Sequence, residues 1–251
     1  MSDPAATVVT RTEGAVATVT LTRPEALNAI TREMLVELAD ALDAVAADAA
    51  VSVVVLTGEG RAFSAGVDLK ALGQRSLEGG GVGDLLDLPA RAVIDRLTRM
   101  PKVVIARVNG FCFTGALELV LACDLVVAAN EAKFGDTHAK WGLRPTWGMS
   151  QRLVRAVGIA RARDLSYTAR TFSGADAAAW GLAARAVPLA ELDATVQDLA
   201  AAVAANSGGS LAAYKDLFRH ALDEGLDDGL GYEAATAYVI DDTEDRVASF
   251  R

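Results

Sequence analysis

The sequence predicts an α/β core followed by a helical C-terminal section, and three observations carry that reading. Short Val- and Thr-rich runs alternate with segments of helical spacing through the first half of the chain. The stretches 51–70 and 103–124 repeat one order, an apolar strand and then a glycine-bearing turn leading toward a helix. Beyond about residue 148 the strand signals give way to a series of helical patterns. With 251 residues and 52% hydrophobic content, the chain can bury a sizeable core as one large domain or two small ones.

Thr7 to Thr10 and Ala15 to Leu21 read as a hairpin turning at Glu13-Gly14, since Val and Thr alternate between two faces. Arg23-Pro24 ends the second strand. Thr31 is a credible N-cap for a helix whose apolar positions Leu35, Leu38, Ala39, Leu42, Val45 and Ala46 fall on one face, with Glu33, Glu37, Asp40 and Asp43 largely opposite. Val51 to Thr57 is apolar throughout, as expected of a strand covered on both faces. A small-residue loop from Arg61 to Lys70 follows, and Gly79 to Gly83 reads as a mobile surface segment lacking the Gly-Lys-Ser/Thr of a phosphate loop. A helix around Ala90 to Arg99 then leads through Met100-Pro101 into a strand at Val103 to Val108. Leu125 to Ala128 is a further strand, and Phe134 to Gly148 is irregular. Helices are expected at Met149 to Val157, Ile159 to Thr168, Gly174 to Trp180, Leu189 to Asn206, Ser210 to Asp223 and Gly229 to Ile240. Leu192, Val196, Leu199 and Val203 give this tail an apolar face, which must cover its own core or a neighbour's.

Composition excludes several functions. A formal net charge of −9, with no run of four basic residues, argues against nucleic acid as a partner, because phosphate binding relies on clustered Lys and Arg. The two cysteines, Cys112 and Cys123, sit in apolar surroundings and read as buried free thiols. The N-terminus lacks the basic-then-apolar pattern of a secretory signal, and no apolar run approaches a membrane span, so a cytoplasmic protein without membrane contact is expected. His138 and His220 are the only histidines, too few for a multi-histidine metal site.

The stretch from Asn109 to Asp124 is the most informative chemically. Gly115 and Ala116 allow a ligand close to the backbone, and the first amides of a helix have no partner within it, so they are donors for negative charge. Glu118 follows Gly115 by about one helical turn, which hangs a carboxylate beside those amides. Amide donors and an acid together suit chemistry at a carbonyl, with the amides holding an oxyanion while the acid moves a proton. A Glu in a first helical turn also complements the helix dipole, and that alternative stands on these residues alone.

A family resemblance adds to this reading. Arg23-Pro24-Glu25-Ala26-Leu27-Asn28-Ala29, Phe63 to Lys70, Asn109-Gly110 through Cys123-Asp124, Gln151-Arg152-Leu153, and Ala178 to Leu182 before Val187-Pro188 occur in the order and spacing of the crotonase, or enoyl-CoA hydratase/isomerase, superfamily. The resemblance spans essentially the whole chain. It implies a spiral of ββα repeats over residues 1–190, a helical trimerisation region over 191–251, a homotrimer or homohexamer, and an acyl-CoA thioester substrate. Coenzyme A would enter only as part of that thioester, with no prosthetic group and no metal. Carried over by position, the oxyanion hole would be the backbone amides of Val67 and Gly115. Ala26, Leu27, Ala65, Asp68 and Leu69 match positions lining the CoA site, and Glu118 matches a hydratase acid that holds and activates water.

The chain departs from the pattern at the second acid. The family segment Phe-Gly-x-Pro-Glu reads Phe134-Gly135-Asp136-Thr137-His138 here, which sets His138 where hydratases carry their second Glu. A His titrates near neutrality and can exchange a proton or orient water; as a bland alternative it is a polar residue at a helix start beside a capping Asp136 or Thr137. Thr146 occupies the position of the dehalogenase nucleophile, which disfavours that chemistry. Trp141 and Trp147 suit either the acyl pocket or the core. The ending Phe250-Arg251 is shorter than the family's, which puts a terminal contact to CoA in question. The leading expectation is reversible hydration of a 2-enoyl-CoA; a double-bond isomerase and a non-catalytic acyl-CoA binder are the alternatives. Without a GxSxG elbow, Ser64 does not read as a serine nucleophile.

Overall fold

The structure, a computed structural model, describes residues 6–70 and 78–249. The chain starts as expected, with an antiparallel hairpin of β1 (Val8–Glu13) and β2 (Val16–Leu21). Helix α1 (Arg32–Ala47) begins at Thr31, whose hydroxyl accepts from the Met34 amide, and buries Leu35, Leu38, Leu42 and Val45 along one stripe. Then come β3 (Val53–Gly58), β4 (Ala62–Ser64), α2 (Asp84–Arg99), β5 (Val103–Val108), β6 (Phe111–Phe113) and α3 (Gly115–Val120). The middle of the chain continues with β7 (Leu125–Ala129), β8 (Lys133–Gly135), α4 (Met149–Val157), α5 (Ile159–Thr168), β9 (Phe172–Ser173), α6 (Gly174–Ala179) and β10 (Arg185–Val187). Four helices close the chain: α7 (Leu192–Ala204), α8 (Gly208–Asp223), α9 (Leu226–Ala235) and α10 (Thr243–Ser249).

Two sheets result. The larger has the order β1-β2-β3-β5-β7-β10 and is parallel apart from the β1–β2 hairpin. Every residue of β3 is buried, as its unbroken apolar run requires when both faces are covered. Helix α7 packs on β2, β3, β5 and β7 and buries Leu192, Val196 and Ala200 against them. Its amphipathic face therefore covers this chain's own core. The later helices are more open; Tyr214, Phe218 and Leu222, spaced four apart on α8, are all exposed. Lys215 ties α8 to the core, its Nζ donating to the carbonyls of Leu97 (2.7 Å) and Lys102 (2.9 Å) and to Asp124 Oδ2 (2.7 Å).

The smaller sheet, β4-β6-β8-β9, positions the site. Strands β4, β6 and β8 run parallel, with Ser64 paired to Cys112 and Cys112 to Phe134. Their C-terminal ends consequently lie side by side, and the chain leaves them toward Val67, Gly115 and His138 respectively. A sheet of two- and three-residue strands has no periodicity to announce it, so the sequence alone predicts a loop over 61–70 and an irregular segment over 134–148. The glycine-rich segment also differs from expectation. Gly79 and Gly80 accept hydrogen bonds at 2.9 and 2.8 Å from the side chain and backbone of Arg144, which ties this segment to the loop after β8. The expected reading of Phe250-Arg251 lies outside the described residues. Cys112 and Cys123 are free thiols, as expected, with Cys112 buried and Cys123 half-buried.

Candidate active site

Glycine lets the first two loops approach each other. Gly66, at φ 90°, lies so close to the next loop that a Cβ there would stand 2.7 Å from the Phe113 carbonyl oxygen. A single parallel bridge fixes the first loop: the Ile30 amide donates to Gly66 O (2.8 Å) and the Asp68 amide to Ile30 O (2.9 Å). The residue between those two, Val67, directs its own NH away from Ile30. Gly115 is the first residue of α3, and neither its NH nor that of Val67 has a hydrogen-bond partner among the described residues. A Cβ at Gly115 would stand 2.5 Å from Trp147 Cζ3, so the indole packs directly on this backbone.

Thr114 joins the second loop to the third. Its amide donates to Gly135 O at 2.9 Å, and its hydroxyl shares a 2.5 Å hydrogen bond with that of Thr137. This β-branched residue sits at φ 52°, ψ −111°, a strained conformation of the kind that persists where surrounding structure enforces it.

Glu118 is 2% exposed. Its Oε1 accepts from the backbone amides of Trp147 (3.0 Å) and Met149 (2.9 Å), and its Oε2 stands 3.7 Å from His138 Nε2. Burial raises the Glu118 carboxyl above its ordinary range, an effect partly offset by the Met149 amide, His138 and the Trp147 amide. Opposite it, His138 Nδ1 lies 2.7 Å from Asp136 Oδ1, and Asp136 Oδ2 accepts from the Ser166 hydroxyl at 2.7 Å. Burial alone would push the Asp136 carboxyl up, but the hydrogen bonds from His138 and Ser166 outweigh it and hold the group below its usual range. Asp136 does not cap the short helical turn Ala139–Trp141; its two carboxylate oxygens are taken by His138 and Ser166.

Glu118, His138, Val67, Gly115, Ala65 and Leu69 line one cavity of about 140 Å³. Ala26, Leu27 and Asp68 stay outside that lining. Leu27 reaches the first loop through its carbonyl, which accepts from the Ala65 amide at 2.9 Å, and Asp68 forms a 3.2 Å ion pair with Arg23. Trp147 is both core and pocket, since it is 3% exposed and lines the cavity, while Trp141 is 57% exposed at its rim. A wider cleft of about 970 Å³ lies between the β1–β2–β3 face and α7, and none of the expected site residues lines it.

Sequence reasoning missed the supporting residues. Asp136 carried a local signal, its spacing of two from His138, which was read only as a possible cap. Ser166 and Asp87 carried none. Asp87, buried on α2, accepts at 2.7 Å from both Trp147 Nε1 and Thr146 Oγ1. Nothing along the chain links it to a residue 60 positions away.

A model of the enoyl-CoA hydratase/isomerase family matches residues 11–250, nearly the whole chain. The chain belongs to this family. Among its relatives in the family, a putative enoyl-CoA hydratase of Thermus thermophilus is 40% identical over 90% of both chains. A probable peroxisomal enoyl-CoA hydratase of Arabidopsis thaliana is 36% identical over 92% of this chain and 84% of its own. In three dimensions the protein is similar to an enoyl-CoA hydratase subunit of Geobacillus kaustophilus (TM-score 0.87, 32% identity, 98% of this chain and 95% of that one). It is also similar to a monofunctional enoyl-CoA isomerase from M. smegmatis (TM-score 0.77, 32% identity, 92% and 99%). One family fold thus accommodates both reactions, and the choice between them rests on the site.

Proposed function

We propose that the protein is an enoyl-CoA hydratase, adding water reversibly across the double bond of a 2-enoyl-CoA thioester. The observation that carries this reading is the 3.7 Å approach of Glu118 Oε2 to His138 Nε2 across a cavity that Val67 and Gly115 also line. Two proton-exchanging groups facing one space are what hydration needs, because one atom must lose a proton while another gains one.

In the proposed reaction the thioester oxygen accepts hydrogen bonds from the Val67 and Gly115 amides. Glu118 Oε2, the carboxylate oxygen left free by the backbone, takes a proton from water as the oxygen of that water bonds to the β-carbon. The double-bond electrons move toward the thioester, and the amides hold the resulting enolate oxygen. His138, as an imidazolium whose Nδ1 is paired with Asp136, delivers its Nε2 proton to the α-carbon and closes the atom balance. Transfer from Glu118 back to His138 restores both groups. The raised affinity of Glu118 for a proton suits a base, and each amide donor lowers the barrier by about 3 kcal/mol in comparable oxyanion holes. Coenzyme A enters as part of the substrate, and no step calls on a prosthetic group or metal.

Ala26, Leu27, Ala65, Asp68 and Leu69 are proposed to line the CoA path, a reading supported by the hydrogen bond that joins Leu27 to Ala65 beside the cavity. For the region 191–251 we propose a role in assembling a homotrimer or homohexamer, supported by the exposed Tyr214, Phe218 and Leu222 of α8. The free thiols Cys112 and Cys123 suit the reducing cytoplasm. Among the described residues no helix is long and apolar enough to cross a membrane.

The test follows the conjugated thioester absorbance of short and medium 2-enoyl-CoA substrates with the parent protein and with Glu118→Gln and His138→Ala. Loss of absorbance in the parent and comparable loss of rate in both variants supports the pair. Migration of the double bond without water uptake makes the protein an isomerase. Binding without turnover at every chain length makes it an acyl-CoA binder.

A further inference from the structure

We infer that Asp136 is a positioning residue for His138, fixing which ring nitrogen faces the reacting atoms; this rests on the hydration reading above for its consequence, though not for its geometry. Asp136 is 3% exposed and both of its carboxylate oxygens are engaged, Oδ1 by His138 Nδ1 at 2.7 Å and Oδ2 by the Ser166 hydroxyl at 2.7 Å. The His138 amide adds a longer bond to Oδ1, at 3.3 Å. An ionised carboxylate can only accept, so Nδ1 must carry the hydrogen of that short bond. Nε2 is thereby left toward Glu118, able to accept a proton or, once protonated, to donate it.

The sequence explains why such a partner is needed. A carboxylate at this position would present either of two equivalent oxygens, whereas an imidazole has two inequivalent nitrogens and two ring orientations. Replacing an acid by His therefore creates a new requirement, selection of the tautomer, and Asp136 lies two residues upstream on the same loop to meet it. Ser166, arriving from α5, prevents the carboxylate from rotating toward another donor. Among the described residues, the charged groups facing His138 are Asp136 from its own loop and Glu118 from α3, and Arg144, further along that loop, lines the same cavity. Arg152 from α4 stands behind Glu118 and donates to Trp147 O at 3.3 Å. The arrangement makes Ser166, Asp136, His138 and Glu118 a continuous line of polar contacts ending at the cavity.

The protein has only two histidines, which makes the tautomer directly readable. Imidazole-¹⁵N NMR of the whole protein, with His220→Gln to assign the two rings, should show neutral His138 carrying its hydrogen on Nδ1. In Asp136→Ala that hydrogen should move to Nε2, the form preferred by a ring without a partner. In Asp136→Asn, which keeps the shape but loses the charge, kcat should fall by at least about 10-fold, the lower end of the cost of losing the partner that orients a metal-bound histidine. KM should stay within about threefold, because Asp136 orients the ring from behind and lies outside the cavity lining. An Nε2–H tautomer in the parent overturns the proposal even if Asp136→Ala does not fold. So does unaltered kcat in Asp136→Asn while Glu118→Gln is inactive. The tautomer is measured without substrate, so failure of the hydration reading leaves this result separately legible.

Discussion

The two halves of the cavity are held by different kinds of bond. Glu118 is aimed by backbone amides, those of Trp147 and Met149, whereas His138 is aimed by side chains, those of Asp136 and behind it Ser166. Backbone donors survive almost any substitution of the residues that own them, while a side-chain partner is lost with one codon. The Glu118 half should therefore resist changes in its neighbours and fail only when Glu118 itself or the local chain path changes. On the His138 half, a single distant replacement should be enough to disturb function.

The largest effect expected is on Glu118→Gln. It retains shape and both backbone hydrogen-bond sites in part but removes the base, and kcat should drop by about 10²–10⁴-fold, the usual range for a lost general base. The acid limb of the parent's pH–rate profile checks the assignment. Burial raises the Glu118 carboxyl, so the base form is depleted, and activity lost, as pH falls through a midpoint above the ordinary 4.5. Stability has the opposite sense for this group. A folded-state affinity raised above the unfolded one favours the folded protein below the unfolded value, and this contribution is lost as pH rises through the folded one. An acid limb at or below 4.5 would remove Glu118 from the role of base.

To break the backbone-held half without touching Glu118, the chain itself must move. Gly115→Ala does so, because the new Cβ would stand 2.5 Å from Trp147 Cζ3 and either the amide of residue 115 or the Trp147 indole must yield. Overpacking of this kind costs about 1–3 kcal/mol of stability, read by thermal or denaturant unfolding. Displacing one oxyanion donor should lower kcat by about 10²-fold. Near-parent kcat would show that the Gly115 amide does not hold the thioester oxygen.

Much of this was legible along the chain, for reasons that differ by element. Helix α1 announced itself through its cap and its period, and β3 through an apolar run that only a doubly covered strand tolerates. Glu118, Gly115 and Val67 emerged because their motifs are local in sequence. The small sheet that brings them together did not, since three-residue strands such as β4 and β8 are specified by their neighbours rather than by their own pattern. The partnership of Ser166 with Asp136 crosses 30 residues and that of Trp147 with Asp87 crosses 60. Long-range polar pairs leave no periodic trace, and a buried acid on a helix face looks the same in sequence whichever donor it meets.

Trp147→Phe sharpens the contrast by removing a side chain while sparing a backbone donor. The indole Nε1 bond to Asp87 is lost, which leaves Thr146 as the remaining donor to that oxygen and should cost about 1–3 kcal/mol of stability. The residue 147 amide still reaches Glu118, so kcat should fall by less than about tenfold, well short of a lost general base. Steady-state kinetics and unfolding on one preparation separate the two quantities. A collapse of kcat alongside intact stability would mean that the indole, rather than the backbone, aims Glu118.

Ser166→Ala should have the smallest effect and is the most diagnostic of the side-chain-held half. It deletes one hydrogen bond to Asp136 Oδ2 and leaves the 2.7 Å bond from Oδ1 to His138. A hydrogen bond to a charged group contributes about 1.5–3 kcal/mol, but here most of that loss falls on the placement of Asp136 and only part is transmitted to His138. The Asp136 carboxyl is held below its usual range by His138 and Ser166 against the pull of burial, and the stability it contributes is present above its unfolded value and lost as pH falls through the folded one. Removing Ser166 should narrow that window from its acid end, so the variant should unfold at a higher pH than the parent during acid titration, while kcat near neutrality falls only a fewfold. An acid unfolding midpoint identical to the parent's would mean that Ser166 does not support the carboxylate. The ordering of the histidine would then belong to Asp136 alone.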